Sequence, residues 1–272
     1  DLNFGKITKD RPNATEAIAI HVESNIGSPY KITQQMADAI SASDGASLED
    51  GSVTFAVTGG SNGTAKMTGS PSRISEAPAL LYISNDKGGG DDLQVQYSLN
   101  PSLKQKAGIY AGNISFKIES SSAFFSNQVF NIPVYVEIES VFYLDVEADQ
   151  GSGLHFGTYR TGEEKQDSRV VLTVHSNVGE PYQVSQIVSR KLTNQEGAFI
   201  PKQHFTFFGS EAQTGLLTVM SSKEVPEGES VVFTSNKTGS PEKFILNYTL
   251  TVPKEAKSGS YSSDIKYSIT TL

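Results

Sequence analysis

The chain contains no cysteine in its 272 residues, and this absence removes several kinds of chemistry. Disulfides, thiolate nucleophiles, iron–sulfur clusters and cysteine-ligated zinc are excluded. The four histidines, His21, His155, His175 and His204, form no pair at helical spacing and no metal-ligand pattern with a carboxylate. No Walker-type phosphate loop and no Gly-x-Ser-x-Gly nucleophile motif occurs. We therefore predict a protein that is not an enzyme, with no catalytic residues, no metal and no cofactor.

Long apolar stretches, clusters of positive charge and tryptophan are also missing. No run of about 18 apolar residues occurs, so the sequence predicts no membrane span. The formal net charge is −8, and Lys and Arg do not cluster, which disfavours nucleic-acid binding because phosphate contacts need positive charge. The lack of tryptophan weakens the case for a site at which sugars stack on aromatic rings.

The chain does contain two copies of one sequence pattern. Four segments recur in the same order in both halves, at offsets of 152 or 151 residues: Leu2–Gly5 and Leu154–Gly157, Ser24–Tyr30 and Ser176–Tyr182, Tyr97–Leu99 and Tyr248–Leu250, Ala107–Tyr110 and Ser258–Tyr261. Matches in one order at both ends of the two halves indicate a tandem duplication.

The periodicity within each copy is that of β-strands. Apolar residues alternate with polar ones, as in Ile18, Ile20 and Val22 of one segment and Ile114, Phe116 and Ile118 of another. Gly, Asn, Asp, Ser and Pro fill the gaps, at roughly 8–12-residue spacing. Each half therefore predicts about seven strands, and the fold class is all-β, with two tandem immunoglobulin-like antiparallel β-sandwich domains. One helix is predicted, at Gln34–Ser43.

The duplication sets the predicted domain limits. Residues 1–139 form the first sandwich, 140–153 form a connector of one strand and a Gly/Ser loop, and 154–272 repeat the first domain. The strand Val129–Glu139 has no second copy, and Pro133 within it predicts a sheet edge or a bulge, because proline donates no ladder hydrogen bond. A second unmatched strand, Val141–Val146, precedes the loop Gly151–Gly153.

Two motifs occur in both copies. In Ser-Asn-x-Gly-x-Pro-Tyr, Asn and Gly tolerate positive φ and Pro extends the chain, which predicts a turn with Tyr30 and Tyr182 capping the cores; a ligand-binding loop is the alternative. In Gly-x-Tyr, Tyr110 and Tyr261 predict tyrosine corners, in which the phenol bonds back to the main chain.

Functional loops are sought where the two copies differ most, in residues 37–73 and 190–214. The loop Gly59, Gly60, Ser61, Asn62 and Gly63 is the candidate for partner contact. A second loop has Asp86, Asp91 and Asp92 around Gly88–Gly90. Its oxygen-rich sequence permits a calcium site, and a plain hairpin loop is the alternative.

Taken together, the motifs resemble a bacterial group, the spore coat U and archaic chaperone–usher pilin domains and related immunoglobulin-like surface modules. The second copy carries them as Leu154–Gly157, Gly179–Val184, Tyr248–Leu250 and Ser258–Tyr261. The resemblance covers the ends of both copies, and this chain lacks the cysteines usual in spore coat U domains.

The resemblance implies a non-enzymatic, structural or adhesive fimbrial or tip-like subunit, exported through the periplasm to the cell surface or medium. Such domains lack a final strand, which a neighbour supplies, so the implied partner is a protein or a second copy that adds a strand. The alternative is a carbohydrate-binding module of a larger secreted protein, with surface glycans as ligands and Tyr143 or Phe207–Phe208 as stacking rings.

Overall fold

The computed structural model describes residues 1–102, 104–123, 125–149, 151, 153–159 and 165–272. These residues form nineteen β-strands and one 3-10 turn, Lys202–His204, and contain no α-helix. The chain divides into two compact units, Asp1–Ser140 (unit 1) and Val141–Leu272 (unit 2). Each unit contains two sheets, and the predicted all-β sandwich class is confirmed.

Unit 1 holds ten of these strands. In chain order they are β1 (Leu2–Ile7), β2 (Ala14–Asn25), β3 (Tyr30–Ala42), β4 (Val53–Gly59), β5 (Gly63–Ala65), β6 (Ser72–Arg73), β7 (Ala79–Ser84), β8 (Gly89–Leu99), β9 (Gly108–Ser120) and β10 (Gln128–Ile138). One sheet has the order β1-β10-β9-β3-β7-β5, and the other has the order β2-β8-β4-β6. Neighbouring strands are antiparallel except β1 and β10, which run parallel.

Unit 2 holds the remaining nine. They are β11 (Phe142–Ala148), β12 (Gln166–Ser176), β13 (Tyr182–Val188), β14 (Phe205–Ser210), β15 (Leu216–Leu217), β16 (Lys223–Glu224), β17 (Gly228–Thr234), β18 (Glu242–Leu250) and β19 (Ile265–Thr271). The sheets have the orders β11-β12-β18-β14-β16 and β15-β17-β13-β19, and all pairs are antiparallel.

Each unit buries one face of its strands. In β4, for example, Val53, Phe55 and Val57 are buried, and the residues between them are not. The same polar contact lies inside both cores. Tyr97 donates a hydrogen bond to Gln34 Oε1 (2.5 Å), and its counterpart Tyr248 donates one to Gln186 Oε1. The duplication read from the sequence therefore extends into the packing.

The strands β2 to β9 of unit 1 correspond in order and pairing to β12 to β19 of unit 2. Three strands have no such counterpart in the described part of the chain. Unit 1 adds β10 and β1 beyond β9, whereas unit 2 adds β11 beyond β12.

The helix predicted at Gln34–Ser43 is wrong. Gln34–Ala42 belong to β3, which pairs with β9 from Tyr30 to Ala42, and Ser43 lies in the turn that follows. Gln, Met and Ala favour helix locally, but the pairing of β3 with β9 outweighs a propensity of a few tenths of a kcal/mol per residue. Two register shifts, on either side of Asp38, mark where the strand accommodates this sequence.

The strand containing Pro133 is not bulged against β9, and Pro133 lies in the part of β10 whose outer side is an edge. β10 keeps an unbroken register with β9 and lies between β9 and β1. Its pairing with β1 begins only at Val134. The side of β10 that faces β1 therefore has no paired strand at Pro133, and the missing N–H disrupts no ladder there.

The segment 140–153, expected as a connector, contains β11, which pairs with β12 over its full length. Its strand thus lies in the sheet of unit 2. Gln150 and Ser152 lie outside the described residues, and the domain limits at 139 and 153 stay a prediction.

Candidate functional site

The last strand of unit 1 completes its core. β10 pairs with β9 from Gln128 to Ile138. Its inward side chains Val134, Val136 and Ile138 are at most 6% exposed. β10 therefore supplies a row of core residues as well as main-chain hydrogen bonds.

β1 lies along the other side of β10 and adds a second row. Leu2 and Phe4 are each 1% exposed. Lys6 Nζ forms ion pairs with Glu137 (3.4 Å) and Glu139 (3.1 Å) at the surface of this pair of strands. Together β1 and β10 form one wall of unit 1.

Unit 2 has no such wall among its described residues. Among the described strands β19, the counterpart of β9, pairs with β13 only, and its outer edge has no paired strand. Residues 154–159, the counterpart of β1, form no strand. An edge of this kind presents unpaired N–H and C=O groups to any extended chain that reaches it.

Core side chains are correspondingly less covered in unit 2. Ile114 and Phe116 of β9 are buried, whereas their counterparts Ile265 and Tyr267 are partly exposed. The same is true of Tyr110 and Tyr261. Leu154 and Phe156, which match buried Leu2 and Phe4, are also partly exposed while packing against the core of unit 2. We call the outer edge of residues 259–271, with Leu154, Phe156 and Tyr261, the acceptor edge.

The register of unit 1 shows how a strand would fit there. Ile132, Val134 and Val136 of β10 lie opposite Ile114, Gly112 and Tyr110. At the 151-residue offset between the two copies, a strand with the residues of β10 would lie in the same order opposite Ile265, Ser263 and Tyr261. β9 begins at Gly108, whereas β19 begins only at Ile265. The first half of the equivalent strand is therefore irregular where its partner is absent.

Both tyrosine corners are confirmed. Tyr110 donates a hydrogen bond to the main-chain oxygen of Lys106 (2.7 Å), and Tyr261 donates one to that of Lys257 (2.8 Å). Tyr110 also accepts one from Gln105 Nε2 (2.8 Å). These bonds hold the chain segments that lead into β9 and into the acceptor edge.

Both tyrosines of the Ser-Asn-x-Gly-x-Pro-Tyr turns are buried, as predicted. Gly27 and Gly179 have φ of 65° and 75°, which explains the glycine. The Tyr30 hydroxyl donates to Gly89 O (3.0 Å), and the Tyr182 hydroxyl donates to Ser240 O (2.8 Å). The turn has the same structural contacts in both units.

The loop Gly59–Gly63 lies between β4 and β5, and a buried carboxylate holds it. Asp91 accepts hydrogen bonds from the amides of Ser61 (3.0 Å) and Asn62 (2.7 Å) and from the Tyr82 hydroxyl (2.6 Å). Burial alone acts to raise the pKa of Asp91, but the bonds from Tyr82, Asn62, Asp92 and Ser61 together hold it below its usual value. We call this arrangement the carboxylate clamp.

Unit 2 repeats the clamp with a glutamate. Glu242 accepts hydrogen bonds from the amides of Thr214 (2.6 Å) and Gly215 (3.2 Å) and from the Thr214 hydroxyl (2.7 Å). Burial acts to raise its pKa, and these bonds with those of Gln213 and Lys243 outweigh it, so the pKa is lowered. One residue type replaces another in the same role.

The glycines of this loop are required by packing. A Cβ on Gly63 would lie 2.3 Å from the Tyr82 hydroxyl, and one on its counterpart Gly215 would lie 2.2 Å from the Phe233 ring. Partner contact by Gly59, Gly60, Ser61, Asn62 and Gly63 stays a prediction, because this geometry explains their identity without a ligand.

Two of the three carboxylates proposed as calcium ligands, Asp91 and Asp92, already contact other groups of the protein. Both oxygens of Asp91 already accept bonds from N–H and O–H groups, and Asp92 Oδ1 lies 2.6 Å from His21 Nδ1. Among the residues that the structure describes, no group of three or more His, Asp or Glu side chains could hold a metal ion. The hairpin alternative is wrong in its geometry, because residues 85–88 connect β7 in one sheet of unit 1 to β8 in the other.

Asp91→Asn tests the clamp. We expect a loss of about 1–3 kcal/mol at pH 7, because an amide cannot accept from all these donors. Since the folded pKa is lowered, the contribution of Asp91 is complete above the unfolded pKa of about 3.9 and is lost as pH falls through the folded value. Urea unfolding from pH 7 to pH 2 measures both effects.

The control is Asp86→Asn, which changes an exposed carboxyl in the loop between β7 and β8. We expect this change to leave the free energy of unfolding within about 0.5 kcal/mol of the unchanged chain. Equal losses in the two variants would contradict the clamp.

A separate cavity of about 540 Å³ lies in unit 2, within the range of small-ligand sites. Its floor is apolar and includes Val188, Ile200 and Val225. At its rim the Phe199 ring is 54% exposed, with Lys191 Nζ 5.0 Å from its centroid. Sequence reasoning missed this ring because it is a single residue in an irregular loop.

The stacking rings predicted from the sequence are placed differently. Tyr143 stacks on His175, with ring centroids 4.5 Å apart, so one of its faces is covered. Phe207 is 2% exposed and stacks on Tyr248 in the core. Phe208 is partly buried in the same strand.

No family model and no curated protein sequence matches the chain. Among solved structures it is similar to the CsuC–CsuE chaperone–tip adhesion subunit complex of archaic chaperone–usher Csu pili of Acinetobacter baumannii, at 10% identity over 99% of both chains and a TM-score of 0.37. It is similar to CfaE, the adhesive subunit of CFA/I fimbria of enterotoxigenic Escherichia coli, at 10% identity over 99% of this chain and 92% of that one, with a TM-score of 0.33.

A family 123 glycoside hydrolase from Clostridium perfringens also matches, at 14% identity over 51% of this chain and 23% of its own, with a TM-score of 0.32. All three TM-scores are below 0.5, so these structures carry no argument about the function of this chain. No helix in the described part of the chain is long and apolar enough to cross a membrane.

Proposed function

We propose that this protein is a non-enzymatic subunit of a bacterial surface structure, and that it assembles when unit 2 accepts a strand at the acceptor edge. One observation carries the proposal. β9 is paired along β10 from Gln128 to Ile138, while its counterpart β19 has no described strand on that side. The motifs that resemble archaic chaperone–usher pilin domains support a surface location and an adhesive or structural role.

The occupant is an extended segment with the chemistry of β10. Main-chain hydrogen bonds to β19 give general affinity, and inward apolar side chains give selectivity. In unit 1 those side chains are Val134, Val136 and Ile138, while Tyr135 between them is 42% exposed. A donor must therefore alternate apolar and polar residues with the same period.

A direct titration tests the proposal. A fluorescent peptide of residues 128–139 is added to the full chain, and its polarisation is followed. We expect saturable binding, which a peptide carrying Val136→Ser weakens roughly 10- to 100-fold, since burying one such side chain contributes about 1.5–3 kcal/mol.

The matched control peptide carries Tyr135→Ser on the outward face, where little affinity should be lost. Non-saturable binding, or equal losses in the two variants, would show that the peptide does not enter as an added strand.

A second candidate, glycan binding, is favoured by the cavity beside Phe199. An exposed ring at the rim of this cavity can stack on a sugar face while Arg190, Lys202 and Glu224 donate or accept hydrogen bonds. We expect any oligosaccharide retained on an immobilised glycan panel to lose at least about 1 kcal/mol of affinity with Phe199→Ala. Retention that is unchanged by Phe199→Ala would remove this candidate.

A further inference from the structure

The outer edge of β2 in unit 1 is a second place where the two units differ. Its counterpart β12 is flanked by β11, whereas among the described residues β2 pairs with β8 only, and β1 lies near β2 without pairing with it. This edge lies in the sheet that does not contain β9 and β10, so it is distinct from the acceptor edge in both unit and sheet.

The cover that β11 provides is visible in burial. Val170 and Leu172 of β12 are 3% and 0% exposed. Their counterparts Ile18 and Ile20 in β2 are partly exposed, although all four side chains are aliphatic. The two apolar side chains of β2 thus retain contact with solvent at the place where β12 has a neighbour.

β11 also makes specific contacts in unit 2. Phe142 lies with its ring centroid 5.8 Å from that of Tyr182, and Leu144 packs against the core. Val141 N–H donates to Asn177 Oδ1 (2.8 Å), and Asn177 N–H donates to Val141 O (3.1 Å). Asn177 is 9% exposed, while its counterpart Asn25 at the end of β2 is exposed.

We propose that the outer edge of β2 binds an extended segment of a partner protein with the chemistry of β11, antiparallel and in the register of β11. The unit 2 pairing sets that register. Leu144, Val146 and Ala148 lie opposite Val174, Leu172 and Val170, so the equivalent donor residues lie opposite Val22, Ile20 and Ile18. On the outer face, donor Asp145 lies opposite His21 and donor Glu147 lies opposite Ala19, and no like charges face each other directly.

The absence of cysteine makes a cross-linking test clean. A peptide of residues 140–149 with Glu147→Cys is mixed under oxidising conditions with the full chain carrying Ala19→Cys. Residues directly opposite in an antiparallel pair have Cα atoms about 4.5–5.5 Å apart, which suits a disulfide. The matched control is Ala17→Cys, which is exposed on the same face and two residues out of register.

We expect the disulfide with Ala19→Cys to form at least about tenfold faster than that with Ala17→Cys, because the diagonal pair exceeds disulfide reach without movement. Equal rates, or a faster reaction at Ala17→Cys, would overturn the proposed register and site. Hydrogen exchange with the unmodified peptide should slow in Ala14–Asn25. Slowing confined to Ile265–Thr271 would place the peptide at the acceptor edge and contradict the proposal.

Discussion

Adding a peptide of residues 128–139 should raise the unfolding temperature of unit 2 by about 10 °C when free peptide is at 100 times its Kd. Binding to the folded state alone contributes about 2.7 kcal/mol at that concentration, and a domain of this size shifts by roughly 3–5 °C per kcal/mol. The reason is structural. Partly exposed Ile265, Tyr267 and Tyr261 would gain the cover that β10 gives their counterparts in unit 1. Differential scanning calorimetry of the full chain measures the shift.

The scrambled peptide of the same composition is the control, and it should leave both transitions unchanged. We also expect the transition assigned to unit 1 to stay in place, because β10 already occupies that position in the chain. A shift of the unit 1 transition alone would mean that the peptide exchanges with β10 and does not fill the acceptor edge.

Two matched substitutions, Phe4→Ala and Phe156→Ala, should lower the stability of their units by clearly different amounts. Phe4→Ala removes a ring that is 1% exposed between β1 and the rest of the core, and we expect it to destabilise unit 1 by about 3–5 kcal/mol. Phe156→Ala removes the counterpart ring, which is partly exposed and meets Phe205 edge-on at 5.9 Å. The loss of stability caused by Phe156→Ala should be at most about half of that caused by Phe4→Ala. Folding removes less of the apolar area of Phe156 from contact with water. Urea unfolding of the two single variants measures both values.

The prediction is that Phe4→Ala lowers the free energy of unfolding more than Phe156→Ala does. The donor peptide should also stabilise Phe156→Ala less than it stabilises the unchanged chain, because the ring forms part of the acceptor edge. If Phe156→Ala costs as much as Phe4→Ala and responds to the peptide fully, then unit 2 is closed at this edge.

Much of this architecture follows from the sequence. Strand positions come from alternation such as Ile18, Ile20 and Val22, and the duplication predicts matching turns and tyrosine corners because Gly and Tyr at those positions have local roles. The failure at Gln34–Ser43 shows the limit. Its residues favour helix, and the long-range pairing of β3 with β9 makes most of them a strand.

The candidate sites were less accessible to sequence reasoning. Asp91 and Glu242 occupy the same position in the two copies, but the carboxylate clamp depends on loops some 30 residues distant in sequence, Ser61–Asn62 and Gln213–Gly215. The unmatched strand Val129–Glu139 did indicate an asymmetry between the halves. Its consequence, a row of less buried core residues on β19, required the strand order and the burial of each counterpart.

Amide hydrogen exchange of residues 259–271 in the full chain, with and without the 128–139 peptide, measures strand acceptance by unit 2. We expect the peptide to slow exchange on the outer edge of β19 and to extend protection back into Gly259–Asp264, where the added strand would order the irregular half of the acceptor edge. Exchange there that is unchanged at saturating peptide would contradict strand acceptance by unit 2.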